Sequence, residues 1–424
     1  MPQHAPSYYA ATANESPSRA PLSGEQATDV CVIGAGYTGL SAALHLLEAG
    51  RQVVIVEANA VGWGASGRNG GQIVHSYSRD LDVIAATHGK RTASELGAMA
   101  FEGAQIIRDR VSQYGIECEL KQGGIYAAKT KRKAKALREH QALWERYGHD
   151  QLQLYGRDEV RRFVATDAYE AILVDQSGGH IHPLNLALGE AQAVESLGGQ
   201  IYEDSVVISV EHGTMATVRT AHGQIRAATV IVACNAYLGD LEPTLSAKAM
   251  PCGTQVVATE PLGERWREVL PSDCCVEDND YLLDYYRLSA DRRLIFGGGV
   301  TYGARDPSRI ESLLRPNLER TFPQLRDVRL DYAWTGNFLL TLSRLPQMGR
   351  LTPNIYYSQG CSGHGVSFTH LAGRLLAEAL DGNDRRFESF ASLPHSPFPG
   401  GRALRVPITA MGAAWYGLRD RLGL

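Results

Sequence analysis

The apolar positions of this chain change their period several times, and each change marks an element. Val30 to Ile33 is a short unbroken apolar run; Leu40, Ala43, Leu44 and Leu47 then recur at helical spacing, and Val53 to Val56 is unbroken again. That succession predicts a β-α-β unit whose parallel strands are buried on both faces. Residues 90–114 read as a long helical region stopped by Gly115, 123–129 alternate as a strand, and 131–147 are charged and helical. A loop, a helix and a strand follow over 180–202. The runs VVISVE, MATVRT and ATVIVAC read as further strands, the last feeding Asn235-Ala236-Tyr237. From 246 to 336 the pattern shifts to strands with alternating aromatics: TQVVATE, YLLDYYRL, LIFGGG and LDYAWTG. A strand, a turn at Gly363-His364-Gly365 and a helix follow over 354–380. Parallel strands first and an antiparallel sheet later give an α/β fold class, α+β overall.

Composition narrows the partners. The chain has 424 residues, 44% of them hydrophobic, enough for two or three domains with a large core. The net charge of −4 is dispersed, and the one basic cluster, KTKRKAKALR at 129–138, reads as a solvated helix face, so no nucleic-acid partner is implied. No apolar stretch reaches membrane-spanning length, and the first 26 residues lack the basic start and apolar middle of a signal peptide. Seven cysteines without C-x-x-C spacing suit reduced thiols in a cytoplasm, and no metal site is predicted.

Two glycine-rich stretches carry the chemistry. Gly34-Ala35-Gly36-Tyr37-Thr38-Gly39 opens the first helix, and Glu57-Ala58 ends the second strand. In such a unit the first glycine permits a tight turn, the second lets backbone approach a pyrophosphate, and the third lets helix and strand pack closely. The helix N-terminus offers N–H groups to phosphate, and the acid grips an unphosphorylated ribose, as in FAD or NAD. The second stretch, VGWGASGRNGGQ at 61–72, follows at once. NAD needs one such turn, whereas FAD runs on past its pyrophosphate through a ribityl chain to the flavin. Gly64, Gly67, Gly70 and Gly71, with Ala65 and Ile73, would lie against that longer body. Ser66 and Arg68 are candidates for phosphate or ribityl oxygens, and Asn69 and Gln72 for the flavin edge. The cofactor expected is FAD, held non-covalently. A third piece, Ser362 to Val366 (Ser362, Gly363, His364, Gly365, Val366), sets backbone N–H groups at a helix start, where they would stabilise negative charge on reduced flavin.

The expected organisation is an N-terminal arm (1–26), a Rossmann-like FAD-binding domain (27–90, 157–245 and 337–385) interleaved with an antiparallel-sheet substrate domain (91–156 and 246–336), and a C-terminal arm and helix (386–424). That last helix carries modest basicity in Arg419 and Arg421, so it is expected to pack on the protein rather than on a membrane.

The stretches SYYAA, GASGRNGGQ, SGGHIHPLNLA, MPCGTQV, YLLDYYRL, WTGNFLLTLSRLPQMGRL, SGHGV and FPGGRALRVP carry a further resemblance. With them the chain resembles the D-amino-acid-oxidase-like superfamily of FAD enzymes and, within it, the γ-glutamylputrescine oxidase (γ-glutamyl-polyamine oxidase) family, nearly end to end. The glycine motifs specify only a flavin protein; YLLDYYR and WTGNFLLTLSRLPQ are more specific. The resemblance implies oxidation of the terminal primary amine of γ-glutamylputrescine to the aldehyde, releasing ammonia and, with oxygen as acceptor, hydrogen peroxide. It also implies that Val207 touches adenine and that Asn235 and Ala236 lie close to the nucleotide. One departure is Cys361, where the family pattern leads to an expected Tyr.

Oxidising a primary amine requires its neutral form, although a lysine-like amine has a pKa of ~10.4. Aromatic walls favour that form by desolvation, and Tyr281, Tyr285, Tyr286 and Trp334 are available. Period-2 alternation puts Leu283, Tyr285 and Arg287 on one face and Asp284 and Tyr286 on the other. Tyr286 is the leading candidate for the substrate wall. Arg287 is a candidate partner for a substrate carboxylate or for a structural ion pair. His75 and Tyr77 are candidates for pocket lining or packing, and His364 for a flavin-edge donor or a packed residue. The other readings are an amino-acid oxidase or dehydrogenase of the same fold, a non-catalytic flavin-binding subunit, and an NAD dehydrogenase. The acceptor (oxygen or another), the oligomeric state and the polyamine length stay open.

Overall fold

Two sheets organise the chain, each assembled from segments far apart in sequence. The computed structural model describes residues 4–303 and 309–422, so 1–3, 304–308 and 423–424 of the expected segments lie outside the described residues.

The first sheet has the order Gln347–Thr352, Ile355–Gln359, Gly223–Val232, Gly24–Ile33, Val53–Val56, Gln200–Tyr202. Gly24–Ile33 pairs parallel with Gly223–Val232 and with Val53–Val56, so the predicted β-α-β unit sits at its centre. The continuous runs arise because both faces are covered. Val30 and Val32 face helices Tyr37–Glu48 and Gly365–Leu380, while Cys31 and Ile33 face the opposite layer with Val218 and Ile225.

The second sheet has the order Leu330–Thr341, Ala249–Thr259, Leu294–Tyr302, Tyr285–Leu288, Cys275–Asp278, Lys121–Ala128, Ala171–His180, Gln72–Ile73. One face packs on helix Ile310–Thr321, and the other faces the first domain. The sheet departs from the sequence expectation in two ways. Ala171–His180, expected with the FAD-binding segments, is a strand here, and its Leu173 pairs across to Tyr126. A wholly buried apolar run such as 171–174 suits either sheet, and this cross-strand register decides it. The sheet is also not wholly antiparallel, because Cys275–Asp278 pairs parallel with Lys121–Ala128.

Smaller differences have local causes. The helical region of 90–114 is two helices, Lys90–Gly97 and Glu102–Tyr114; the ring of Tyr147 occupies the space a side chain at position 97 would need. The basic cluster is not all solvated, since Lys129 pairs with Asp278 at 2.6 Å and Lys133 with Asp280. The N-terminal arm is anchored: Tyr9 is fully buried and packs edge-on against Trp334 at 5.1 Å between centroids. The C-terminal helix Gly401–Leu422 grips the protein on one side only. Arg405 donates to the carbonyl oxygens of Ser246 and Ala249, but Leu404, Ile408, Met411 and Trp415 are exposed, so Trp415 does not pack as expected; the side chains of Leu418 and Leu422, expected on the same side of the helix, lie outside those described. No helix among the described residues is long and apolar enough to cross a membrane. Cys31, Cys118, Cys234, Cys252, Cys274, Cys275 and Cys361 are free thiols.

Candidate functional site

A long cleft opens at the carboxyl ends of the central parallel strands, where open α/β sheets place ligands. Gly34, Gly36, Tyr37 and Thr38 form one wall, and Glu57 and Ala58 the next. Each glycine has a measurable reason. A Cβ at Gly34 would lie 2.9 Å from the carbonyl oxygen of Ala233, and one at Gly39 would fall on the carbonyl oxygen of Gly34. Gly39 therefore packs helix on strand and does not line the cleft; Ala35 is fully buried behind it. The Glu57 carboxylate accepts from the N–H groups of Ala35 at 2.8 Å and Asn59 at 2.9 Å. These bonds fix its orientation and leave lone pairs for ribose hydroxyls. Burial raises its pKa, and the two backbone donors oppose that rise.

The second glycine stretch is built onto the first. Ser66 Oγ accepts from the Tyr37 N–H at 3.0 Å, capping the helix from a loop 29 residues away. Gly36 makes this possible, because a Cβ there would lie 3.0 Å from the same hydroxyl oxygen. Gly64, Ala65, Ser66 and Asn69 line the cleft. Gly67, Arg68, Gly70, Gly71, Gln72 and Ile73 serve packing and do not line it. Gly67 lies against the Gly62 carbonyl, and Arg68 stacks on Trp63 at 4.3 Å while its Nε donates to the Trp63 carbonyl at 2.7 Å. The Asn69 amide is occupied within its own loop, donating to the Ala65 and Ser66 carbonyls and accepting from the Gly71 N–H. Gly70 and Gly71 make room for Tyr285 and Arg287, and Gln72 and Ile73 form an edge strand on His180 and Gly179.

Val207, Asn235, Gly363, Gly365 and Val366 complete the lining, whereas Ala236, Ser362 and His364 do not line it. Asn235, at φ 45°, accepts from the Gly360 N–H at 3.0 Å and so joins two strand ends. Ser362 Oγ accepts from the Thr341 N–H, tying the turn to the second sheet. Burial pushes His364 down to about 4, and its Nδ1 is buried without a partner. Cys361 does line the cleft, with its thiol pushed up to about 11 by burial. That protonated state does not favour thiolate chemistry.

The structure corrects the substrate wall. Tyr286 is fully buried on the far face of the second sheet, stacked on Phe296 at 5.7 Å and edge-on to Phe322 at 5.1 Å, its hydroxyl 3.0 Å from that of Tyr169. The face toward the cleft carries Tyr285, whose hydroxyl lies 3.2 Å from Thr254 Oγ1. Arg287 shares that face but is fully buried: it donates to the carbonyls of Gly70 at 2.8 Å and Leu288 at 3.1 Å and to the Tyr9 hydroxyl at 3.2 Å. It pairs with backbone and a phenol, not with a carboxylate. Trp334 donates its indole N–H to the Arg68 carbonyl at 2.9 Å, clamping the second loop. Tyr77 is core, and its hydroxyl donates to the Leu96 carbonyl.

His75 lies outside the cleft in a buried network with Ser177, Asp175 and His149. Its Nε2 is 2.8 Å from Ser177 Oγ, and His149 Nε2 is 3.2 Å from Asp175 Oδ1. The ligand-type atoms of His75, His149 and Asp175 all lie within 4.8 Å of one another, a spacing the sequence did not reveal. Burial pushes His75 down to about 4, with Arg108 among the charges that lower it further. Trp63, Tyr237 and Phe338 also line the cleft and were not singled out from sequence. Tyr237 has a legible signal in its place just past the buried strand, with its ring 5.4 Å from Trp63.

A sequence model described as FAD dependent oxidoreductase matches residues 29–379. The gamma-glutamylputrescine oxidoreductase of Escherichia coli is 59% identical over 426 residues, spanning 100% of both chains. Among solved structures, glycine oxidase from Geobacillus kaustophilus superposes with a TM-score of 0.73 at 21% identity, covering 88% of this chain and 100% of its own. L-proline dehydrogenase from P. horikoshii gives 0.73 at 18% identity, covering 87% and 100%.

Proposed function

This chain belongs to the FAD dependent oxidoreductase family, and on that premise we propose that it oxidises the terminal primary amine of γ-glutamylputrescine or a closely related γ-glutamylated polyamine. The observation that carries the reading is the end-to-end similarity to the E. coli gamma-glutamylputrescine oxidoreductase. The residues present fit the cofactor: the N-terminus of helix Tyr37–Glu48 opens on the cleft, and the Glu57 carboxylate lines it at the end of the next strand. Thr38 and Tyr37 at the helix N-terminus would face the pyrophosphate, Glu57 the adenosine ribose and Val207 the adenine. Gly363, Gly365 and Val366 would present N–H groups to the flavin ring. FAD, when bound, supplies the acceptor for the hydride of the amine-bearing carbon.

The chain's own contribution is to desolvate and align. Tyr285 offers an aromatic wall beside the second loop, and the γ-glutamyl end would provide binding energy remote from the reacting carbon. Arg287 argues against an α-amino-acid oxidase, since a carboxylate clamp needs donors that here face Gly70, Leu288 and Tyr9. Free thiols support a reducing, cytoplasmic setting. A peroxide assay run in parallel on γ-glutamylputrescine, putrescine and D-alanine tests the reading. The acylated amine should give by far the highest kcat/KM; faster turnover of D-alanine would overturn it.

A further inference from the structure

The cleft-facing side of the second sheet carries a carboxylate that none of the roles above uses. Glu277 lies in Cys275–Asp278, paired across one side with Tyr285 and across the other with Tyr126. Registered neighbours point to the same face of a sheet, so the acid stands between two phenol rings on the side of the glycine loops. It borders a small cavity of about 10 Å³, room for one water-sized group, whose wall includes Gln72, Asp175 and Gly178. The Glu277 carboxylate makes no hydrogen bond or ion pair with the described residues, whereas its neighbour Asp278 is paired with Lys129. Gln72 Nε2, near the same cavity, is buried without a hydrogen bond, and Asp175 Oδ2 faces only His75 Nε2 at 3.6 Å. Asn69 lines the cofactor cleft and Gln72 lines this cavity, so at most ~10 Å of chain separates the two spaces.

A half-buried acid that bonds to none of the described residues, set between two phenol rings on the sheet face that carries Tyr285, matches an incoming cation. We propose that Glu277 receives the substrate's ammonium group and takes its proton, delivering the neutral amine that oxidation requires. The inference rests on the reading above that a primary amine is the substrate. In this step an N–H bond of the ammonium breaks and an O–H bond to the carboxylate forms; the electron pair stays on nitrogen as the lone pair. No electrons are exchanged. Gln72 Nε2 would donate to the carboxylate and hold it toward the amine.

The electrostatics allow it. Burial, and then the charge of Asp278, push Glu277 up to about 7, so it is ionised above neutrality yet basic enough to accept a proton. The titratable groups facing it are Tyr126, Tyr285, Cys275 and Asp175. Burial raises the first three above their ordinary ranges, so they stay neutral there. Asp175 stays ionised: burial would raise it, but hydrogen bonding to His149 and the charge of His75 hold it low.

The test compares wild type with Glu277→Gln and Glu277→Asp, each as FAD holoenzyme. Wild-type kcat/KM for γ-glutamylputrescine should rise with pH through about 7. Glu277→Gln should lose that limb, fall on the order of 100-fold near neutrality, and recover as pH approaches the substrate's own pKa of ~10.4. Glu277→Asp should keep the limb. A readout independent of turnover is the binding of two non-oxidisable probes, an N-acyl diaminoalkane fully methylated at the amine-bearing carbon and its hydroxyl counterpart. Glu277→Gln should weaken the amine probe about tenfold or more and leave the alcohol unchanged. Equal pH profiles for wild type and Glu277→Gln, or equal losses for both probes, would overturn the inference. If the wild type oxidises no primary amine at all, the functional reading itself fails, and the two failures are told apart by that control.

Discussion

Replacing Tyr286 should cost stability and spare catalysis. The ring fills the core between Phe296 and Phe322 on the side of the sheet away from the cleft, and its hydroxyl is 3.0 Å from that of Tyr169. Tyr286→Ala removes a fully buried ring, worth about 3–5 kcal/mol, and strands the Tyr169 hydroxyl for about 1 kcal/mol more. With an unfolding entropy of ~2.1 cal/mol/K per residue over 424 residues, each kcal/mol shifts Tm by about 1 °C. The alanine variant should therefore melt roughly 5 °C lower, and Tyr286→Phe, which keeps the ring, about 1 °C lower. Circular dichroism melting gives Tm, and steady-state assays on the folded enzyme should give kcat/KM within about threefold of wild type for both. A tenfold fall in kcat/KM with an unchanged Tm would mean that Tyr286 does meet the substrate and that the face assignment is wrong.

Other outcomes follow from the same geometry. Tyr285→Ala, on the cleft face, should lower kcat/KM by about 5- to 150-fold, the equivalent of 1–3 kcal/mol, with FAD still bound; wild-type kinetics would remove it from the substrate wall. Ser66→Ala should weaken FAD and cost about 1 kcal/mol through loss of the Tyr37 cap, read by flavin titration and melting; unchanged values in both would deny the link between the loops. Gly39→Ala should give protein with little or no FAD, because its Cβ meets the Gly34 carbonyl; full occupancy would contradict that packing. Burial holds His45, His180 and His182 at about 3 and His75 and His364 at about 4, below the unfolded value of 6.5. The unfolded chain then binds more protons below pH 6.5, so stability present above that pH is lost on acidification toward 4, by ~1.36 kcal/mol per pH unit per histidine. A Tm constant between pH 6.5 and 4.5 would refute this.

The local grammar of the nucleotide-binding unit was legible because every part of it lies within 30 residues and has one purpose. Gly34 sits in the tight turn and Gly39 at the helix–strand contact that the spacing predicts. The second glycine stretch was legible as a companion, but the division of labour inside it was not: Gly70 and Gly71 make room for Tyr285 and Arg287, partners distant in sequence. Alternation separated Tyr285 from Tyr286 correctly yet could not say which face meets the cleft, because that depends on where helix Ile310–Thr321 packs. Glu277 escaped notice for the same reason. An acid in a short strand looks exposed until its register with Tyr126 and Tyr285 encloses it. The sheet membership of Ala171–His180 likewise rests on pairing rather than on composition.

The central claim is that electrons from a γ-glutamylated primary amine enter the FAD held between the two glycine loops. Anaerobic titration of the purified holoenzyme with γ-glutamylputrescine measures this without any choice of final acceptor. One equivalent of the amine should bleach the oxidised-flavin absorbance and yield one equivalent of aldehyde. A flavin that stays oxidised with this amine, but is bleached by D-alanine or glycine, would contradict the account.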